Sequence, residues 1–130
     1  MTPQYIKING NGSKFYYKDK EMTIFHREDG AAIEYANGSK FWYLNGNLHR
    51  EDGAAVEWND GSKAWYLNGE CHRESGPAIE CSDGYKEWYL NGVELTEKQF
   101  NKKTVKEIVL TMDEIAEQLG IDVSKLKIKK

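Results

Sequence analysis

A chain of 130 residues with 21 acidic and 18 basic side chains, net charge −3, lacks the basic excess that suits nucleic acid and the extreme acidity of a nucleic-acid mimic. Four Trp and eight Tyr offer large surfaces to bury, and 12 Gly against two Pro suit many tight turns. No apolar run is long enough to span a membrane, and the opening residues lack the charged and apolar regions of a secretory leader, so a cytoplasmic location is expected.

In chain order, Tyr5 to Ile8 reads as an edge strand, and its uncovered edge admits a homodimer. A degenerate repeat follows, Gly12-Ser13-Lys14-Phe15-Tyr16-Tyr17, which reaches His26 through three extra residues between Lys18 and Phe25. Full copies begin at Ile33 and Val56, and a third begins at Ile79 and stops after Gly92; His26, His49 and His72 stand 23 residues apart. Each copy holds two kinds of turn. Asn37-Gly38, Asp60-Gly61 and Asp83-Gly84 form one set, and Asn45-Gly46, Asn68-Gly69 and Asn91-Gly92 the other. Both read as two-residue type I′ hairpin loops, which need positive φ at both central positions. Short strands alternating with such turns predict a mainly β fold, a repeated antiparallel β-hairpin meander.

A two-residue loop at Asn37-Gly38 pairs Tyr35 with Lys40 and Ile33 with Trp42. One face then collects Ile33, Tyr35, Trp42 and Leu44, with Val56, Trp58, Trp65 and Leu67, then Ile79, Cys81, Trp88 and Leu90, as the core. The opposite face carries Glu34, Phe41 and Tyr43, then Glu57, Ala64 and Tyr66, then Glu80, Glu87 and Tyr89. The change from Phe to Ala to Glu at one slot of this second face suits solvent rather than a packed site. The second turn set pairs Leu48 with Tyr43 and so puts an apolar residue on the wet face, which calls for a bulge or a cover.

The unit Gly-Ser-Lys-Phe-Trp-Tyr-Leu-Asn-Gly-Asn-Leu-His-Arg-Glu-Asp-Gly-Ala-Ala, Gly38 to Ala55, resembles the MORN-like repeats of bacterial, phage and giant-virus proteins. The resemblance covers roughly Gly10 to Gly92. It implies a β-hairpin array that scaffolds proteins or touches lipids, and some bacterial members are labelled antitoxins. The His-Arg-Glu-Asp-Gly segment departs from the standard pattern and weighs against the lipid role.

Residues 1–95 therefore form the repeat array, and 96–130 an α+β C-terminal cap. Thr96-Glu97-Lys98-Gln99 reads as a capping box opening a helix. Thr104 to Leu110 alternates like a strand, Thr111 with Glu114 opens a second helix ending near Gly120, and residues 125–129 read as an edge strand guarded by lysines. The stretch from Thr111-Met112-Asp113-Glu114-Ile115 through Leu119-Gly120 to Lys125-Leu126-Lys127-Ile128 resembles the endings of tailed-phage accessory proteins. Cys71 and Cys81 occupy slots that are apolar in neighbouring copies, which predicts buried free thiols.

Two readings of the His26-Arg27, His49-Arg50 and His72-Arg73 pairs stand side by side. A ladder of them could bind phosphate or carboxylate groups of a small ligand or nucleotide. Alternatively, each His packs near a core Trp and each Arg pairs with Glu28, Glu51 or Glu74, or with turn carbonyls. Histidines one repeat apart sit too widely to share a metal. No nucleophile elbow, phosphate loop or paired Cys motif is present, so neither an enzyme nor a cofactor is expected. Glu34, Phe41, Tyr43, Glu57, Tyr66, Glu80 and Tyr89 are the candidate protein-binding surface, since Tyr contributes contact area at low entropic cost. The acids among them repel a nucleic-acid backbone. The expected function is a protein-binding repeat module; the phage resemblance implies an inhibitor of a host or defence protein.

Overall fold

The computed structural model describes residues 4–104. They fall into two compact units, dividing between Leu95 and Thr96.

The first unit is built from antiparallel strands joined by tight turns. It opens with β1 (Tyr5–Ile8) and β2 (Lys14–Tyr17), followed by a loop in which the Asp19 carboxylate accepts the backbone N–H groups of Thr23 and Ile24. The first full repeat supplies β3 (Ile33–Glu34), β4 (Lys40–Phe41), β5 (Tyr43–Leu44) and β6 (Asn47–Leu48). The second supplies β7 (Val56–Glu57), β8 (Lys63–Ala64), β9 (Tyr66–Leu67) and β10 (Glu70–Cys71). The third supplies β11 (Ile79–Glu80), β12 (Lys86–Leu90) and β13 (Val93–Leu95). A nine-stranded sheet runs β1-β2-β3-β4-β7-β8-β11-β12-β13, and β5-β6 and β9-β10 stand apart as two-stranded ribbons.

The ribbons separate because the chain turns at one residue. Trp42 donates its N–H to the carbonyl of Ala55, the residue just before β7 (2.8 Å), while its own carbonyl accepts from His49 in its ribbon (3.0 Å). Trp65 does the same with Ala78 and His72, and Tyr16 with Ala32 and His26.

The two turn sets differ, and this moves the register. Asn45, Asn68 and Asn91 have φ of 53°, 50° and 50°, followed by Gly at 82°, 81° and 79°, as a type I′ loop requires. Tyr43 pairs with Leu48, as expected. In the other set only the glycine has positive φ (Gly38 at 95°). Tyr35 donates to the Ser39 carbonyl and Gly38 donates back to Tyr35, closing a three-residue loop of Ala36, Asn37 and Gly38. Such loops place a type I turn before an αL glycine bulge. Ile33 consequently pairs with Phe41 and Glu34 with Lys40, one residue from the expected register. Since side chains alternate with period two, that slip reassigns every position beyond the turn to the other face.

One face is now a charge file. Lys14, Glu34, Lys40, Glu57, Lys63, Glu80 and Lys86 stand side by side across seven strands, alternating in sign. The other face is the file Phe15, Ile33, Phe41, Val56, Ala64, Ile79 and Glu87. Its Ile33, Val56 and Ala64 are buried, so the slot expected to face solvent belongs to the core. Tyr35 and Trp58, expected in the core, are each 40% exposed. Trp42, Trp65 and Trp88 are half-buried, and they lie on the charged face.

The most enclosed positions are small. Ala32, Ala55 and Ala78 are each 0% exposed. Continuing the register sets Ala32 between Tyr16 and Trp42, Ala55 between Trp42 and Trp65, and Ala78 between Trp65 and Trp88. A small side chain between two rings lets the sheet close over them.

Buried serines tie each repeat to the next. Ser13, Ser39 and Ser62 accept the backbone N–H of Ala36, Asn59 and Ser82 at 3.0, 3.0 and 2.9 Å. The fourth such slot holds Tyr85, 57% exposed, where no further repeat follows to be held.

In the second unit, Thr96 and Gln99 make the reciprocal hydrogen bonds of a capping box (3.1 and 2.9 Å), and a helix, α1, covers 97–104. Thr104, expected to open a strand, is still helical and donates its hydroxyl to the Phe100 carbonyl. The expected strand to Leu110, the second capping box and the lysine-guarded tail lie outside the described residues. Among the described residues, no helix is long and apolar enough to cross a membrane.

Candidate functional site

The segments His26–Gly30, His49–Gly53 and His72–Gly76, His-Arg-Glu-Asp-Gly twice and His-Arg-Glu-Ser-Gly in the third, form arms that run beside the type I′ turn of the following repeat. His26, His49 and His72 accept, through Nδ1, the backbone N–H of Asn45, Asn68 and Asn91 at 2.9, 2.9 and 2.8 Å. Accepting at Nδ1 requires a lone pair there, so the ring proton sits on Nε2, which points to Glu28, Glu51 or Glu74 at 3.4 to 3.5 Å. The same turns donate their glycine N–H to the residue before each His: Gly46 to Phe25, Gly69 to Leu48, Gly92 to Cys71. Each histidine thus fastens one copy to its successor.

Each arginine folds back over its own arm and lies on a ring. Arg27 sits 4.0 Å from the centre of Tyr16, Arg50 3.9 Å from Trp42 and Arg73 3.7 Å from Trp65. Nη1 donates to the carbonyl of Ala31, Ala54 or Pro77 and to the carboxylate of Glu34, Glu57 or Glu80. Nε of Arg27 and Arg50 meets Asp29 and Asp52. Burial opposes the charge on Arg27, but the bond to Asp29 and the nearby acids outweigh it and hold the guanidinium protonated. The arginine packs closely on the glycine that ends the arm: a Cβ on Gly53 would lie 3.0 Å from the Arg50 guanidinium carbon, which would have to give by a few tenths of an ångström.

These bonds distribute the sequence-derived candidates differently from expectation. Glu34, Glu57 and Glu80 lie on the charged face and are bound by arginine. Phe41, Tyr43, Tyr66 and Tyr89 are half-buried, and Phe41 lies on the opposite face from Glu34. The expected tyrosine–glutamate surface is therefore split. Burial pushes the hydroxyl pKa of Tyr43 and Tyr66 up, and burial together with the Glu87 hydrogen bond pushes Tyr89 to about 12. His26-Arg27, His49-Arg50 and His72-Arg73 do form a regular ladder, with each imidazole Nδ1 and each arginine Nη1 engaged inside the fold.

The aromatic side chains missed by the sequence reading are Tyr35, Trp58 and Tyr85. Tyr35 meets Phe15 and Phe41 edge-on (5.9 and 5.6 Å), and Phe41 meets Trp58 edge-on (6.4 Å). Phe15 connects through Phe25 to Tyr17 and Tyr43. Tyr35 and Trp58 occupy one position of successive hairpins, and Tyr85 closes the third hairpin opposite Cys81. The signal for this register lay in the turn residues. Asn37, Asp60 and Asp83 accept, through Oδ1, the N–H two residues on at 2.9, 2.8 and 2.9 Å. Asp serves there as well as Asn, whereas the type I′ set uses only Asn, which tolerates positive φ better.

Both cysteines are free, Cys71 buried and Cys81 half-buried. Burial, with a smaller effect from Glu87, pushes the Cys71 thiol from an ordinary 9.0 up to about 11. Near pH 8 its thiolate fraction should be about a hundredfold below that of a thiol at 9.0, and it is the more deeply buried of the two cysteines, so iodoacetamide followed by mass spectrometry should label Cys81 first. The folded chain holds the Cys71 proton more tightly than the unfolded one. That share of stability is full below about pH 9 and is lost as the pH rises through about 11.

Between successive arms lie two open grooves, of about 660 and 610 Å³. Among the described residues, no group of three or more His, Cys, Asp or Glu could hold a metal ion. No protein-family model, curated protein or solved structure matches this chain.

Proposed function

We propose that the array is a protein-binding module whose contact surface is the row Tyr35, Trp58 and Tyr85. The carrying observation is their exposure, 40%, 40% and 57%, at one end of a face whose centre is packed. Exposed Trp and Tyr anchored against a rigid sheet are the side chains that dominate binding energy at interfaces. Edge-on contacts with Phe41 hold Tyr35 and Trp58 in place, so little rotamer freedom is lost on docking. In line with the resemblance to phage accessory proteins, the partner is proposed to be a host or defence protein that the module inhibits. The anion-capture alternative is less well supported, because each guanidinium is already bound to a ring, a carbonyl and at least one carboxylate.

Trp58→Ser with Tyr85→Ser should leave the far-ultraviolet circular dichroism unchanged and weaken partner capture from bacterial lysate by about thirtyfold or more. Equal recovery of every partner by this variant and the wild type would remove the aromatic row from consideration.

A further inference from the structure

The two grooves between the arms are chemically equivalent and one repeat apart. In the first, Glu28 and Asp29 form one wall, Glu51 and Asp52 the other, and Trp42 and Leu44 line the apolar part. The second repeats this lining 23 residues on, with Trp65 and Leu67, except that Ser75 stands where the first has Asp52. The arginines at the groove walls are neutralised within the fold, Arg50 by Asp52 and Glu57 for example. Glu28, Glu51 and Glu74 are mostly exposed, with side-chain values of 69%, 83% and 76%, and meet only an imidazole Nε2. Each groove thus combines a leucine and the part of a Trp ring left uncovered by its arginine with unneutralised acid. Its complement is a long side chain with an apolar stem and a cationic head, that is, lysine or arginine.

Spacing narrows the partner further. Each repeat places two neighbouring strands in the main sheet, and strands lie about 4.8 Å apart, so the grooves recur about every 9.6 Å. A polyproline II segment rises about 3.1 Å per residue with three residues per turn, which puts residues i and i+3 on one side about 9.3 Å apart. In a β-strand, same-side residues fall about 6.8 or 13.6 Å apart, and neither distance matches the groove spacing.

We infer that the two inter-arm grooves bind a basic polyproline II segment of a protein, taking lysine or arginine side chains at positions i and i+3. This surface is separate from the aromatic row, and its test does not depend on that row.

The test uses synthetic proline-rich peptides titrated into the full chain, followed by calorimetry and amide chemical shifts. A peptide with Lys-Pro-Pro-Lys at its centre should bind about tenfold more tightly than an isomer spaced Lys-Pro-Pro-Pro-Lys, because only the first reaches both grooves at once. Glu51→Gln, which touches both grooves, should weaken the first peptide about threefold, and Ser75→Asp should strengthen it by a similar factor. Affinities equal within twofold for the two peptides, or no binding at millimolar concentration, would overturn the inference. So would a tighter fit by a helical peptide with lysines at i and i+7, or indifference to both variants when their melting temperatures match the wild type.

Discussion

Ala55→Leu is expected to destabilise the protein by about 3 kcal/mol or more, because three extra carbons have nowhere to go. Ala55 is 0% exposed, its carbonyl accepts the Trp42 N–H at 2.8 Å, and its cross-strand neighbours on that face are Trp42 and Trp65. Relief would need both rings to leave their rotamers, which would dislodge Arg50 and Arg73 from above them. The thermal midpoint should fall by about 10 °C, taking about 3–5 °C per kcal/mol for a chain of this size. Ala36→Leu, at an exposed loop position, should stay within about 0.5 kcal/mol of the wild type and serves as the control. Parity between these two variants in urea denaturation would mean that the alanine column is not the tight layer of the sheet.

Arg50→Ala is the second large effect, expected to cost about 3 kcal/mol. The substitution uncovers the Trp42 ring, removes the donor to the Ala54 carbonyl at 3.0 Å, and leaves Asp52 and Glu57 without their cation. Arg50→Lys should recover less than half of that loss. A lysine head is a point charge and cannot lie flat on the ring while also reaching the carbonyl and both acids. In a double-mutant cycle with Glu57→Gln, the coupling should be about 1 kcal/mol and should shrink with added salt, since both side chains are partly exposed. Recovery of full stability by lysine would show that only charge, and not the stacked plane, matters at this position.

The repeat, its period and the antiparallel hairpins were legible because glycine and asparagine mark turns through backbone constraints that any reader of the sequence can apply. The type I′ loop at Asn45-Gly46 and its Tyr43–Leu48 pair followed directly, as did the Thr96 capping box. The apolar residue stranded on the wet face, Leu48, asked for a bulge or a cover, and the structure has its bulge one turn earlier, at Gly38. An Asn-Gly pair fits both a two-residue loop and the end of a three-residue loop, and the choice inverts a whole face. Placing Tyr35 and Trp58 inside and Ala64 outside was the result. The arginine contacts were only half legible. Partnership with acids and turn carbonyls could be expected from the arm's composition, whereas the reach of Arg27, Arg50 and Arg73 to Glu34, Glu57 and Glu80 depends on the register.

The alternating lysine and glutamate file has a consequence for how the chain finds its order. Every copy presents the same charges, so a chain that threaded past one copy during folding would still match each lysine with a glutamate. The edge-on chain Phe15, Tyr35, Phe41, Trp58 differs, because the later copies hold Cys81, Ala64 and Glu87 in those slots. Skipping the second copy would set Phe41 beside Cys81 instead of Trp58, so these rings act as an address that tells otherwise interchangeable copies apart.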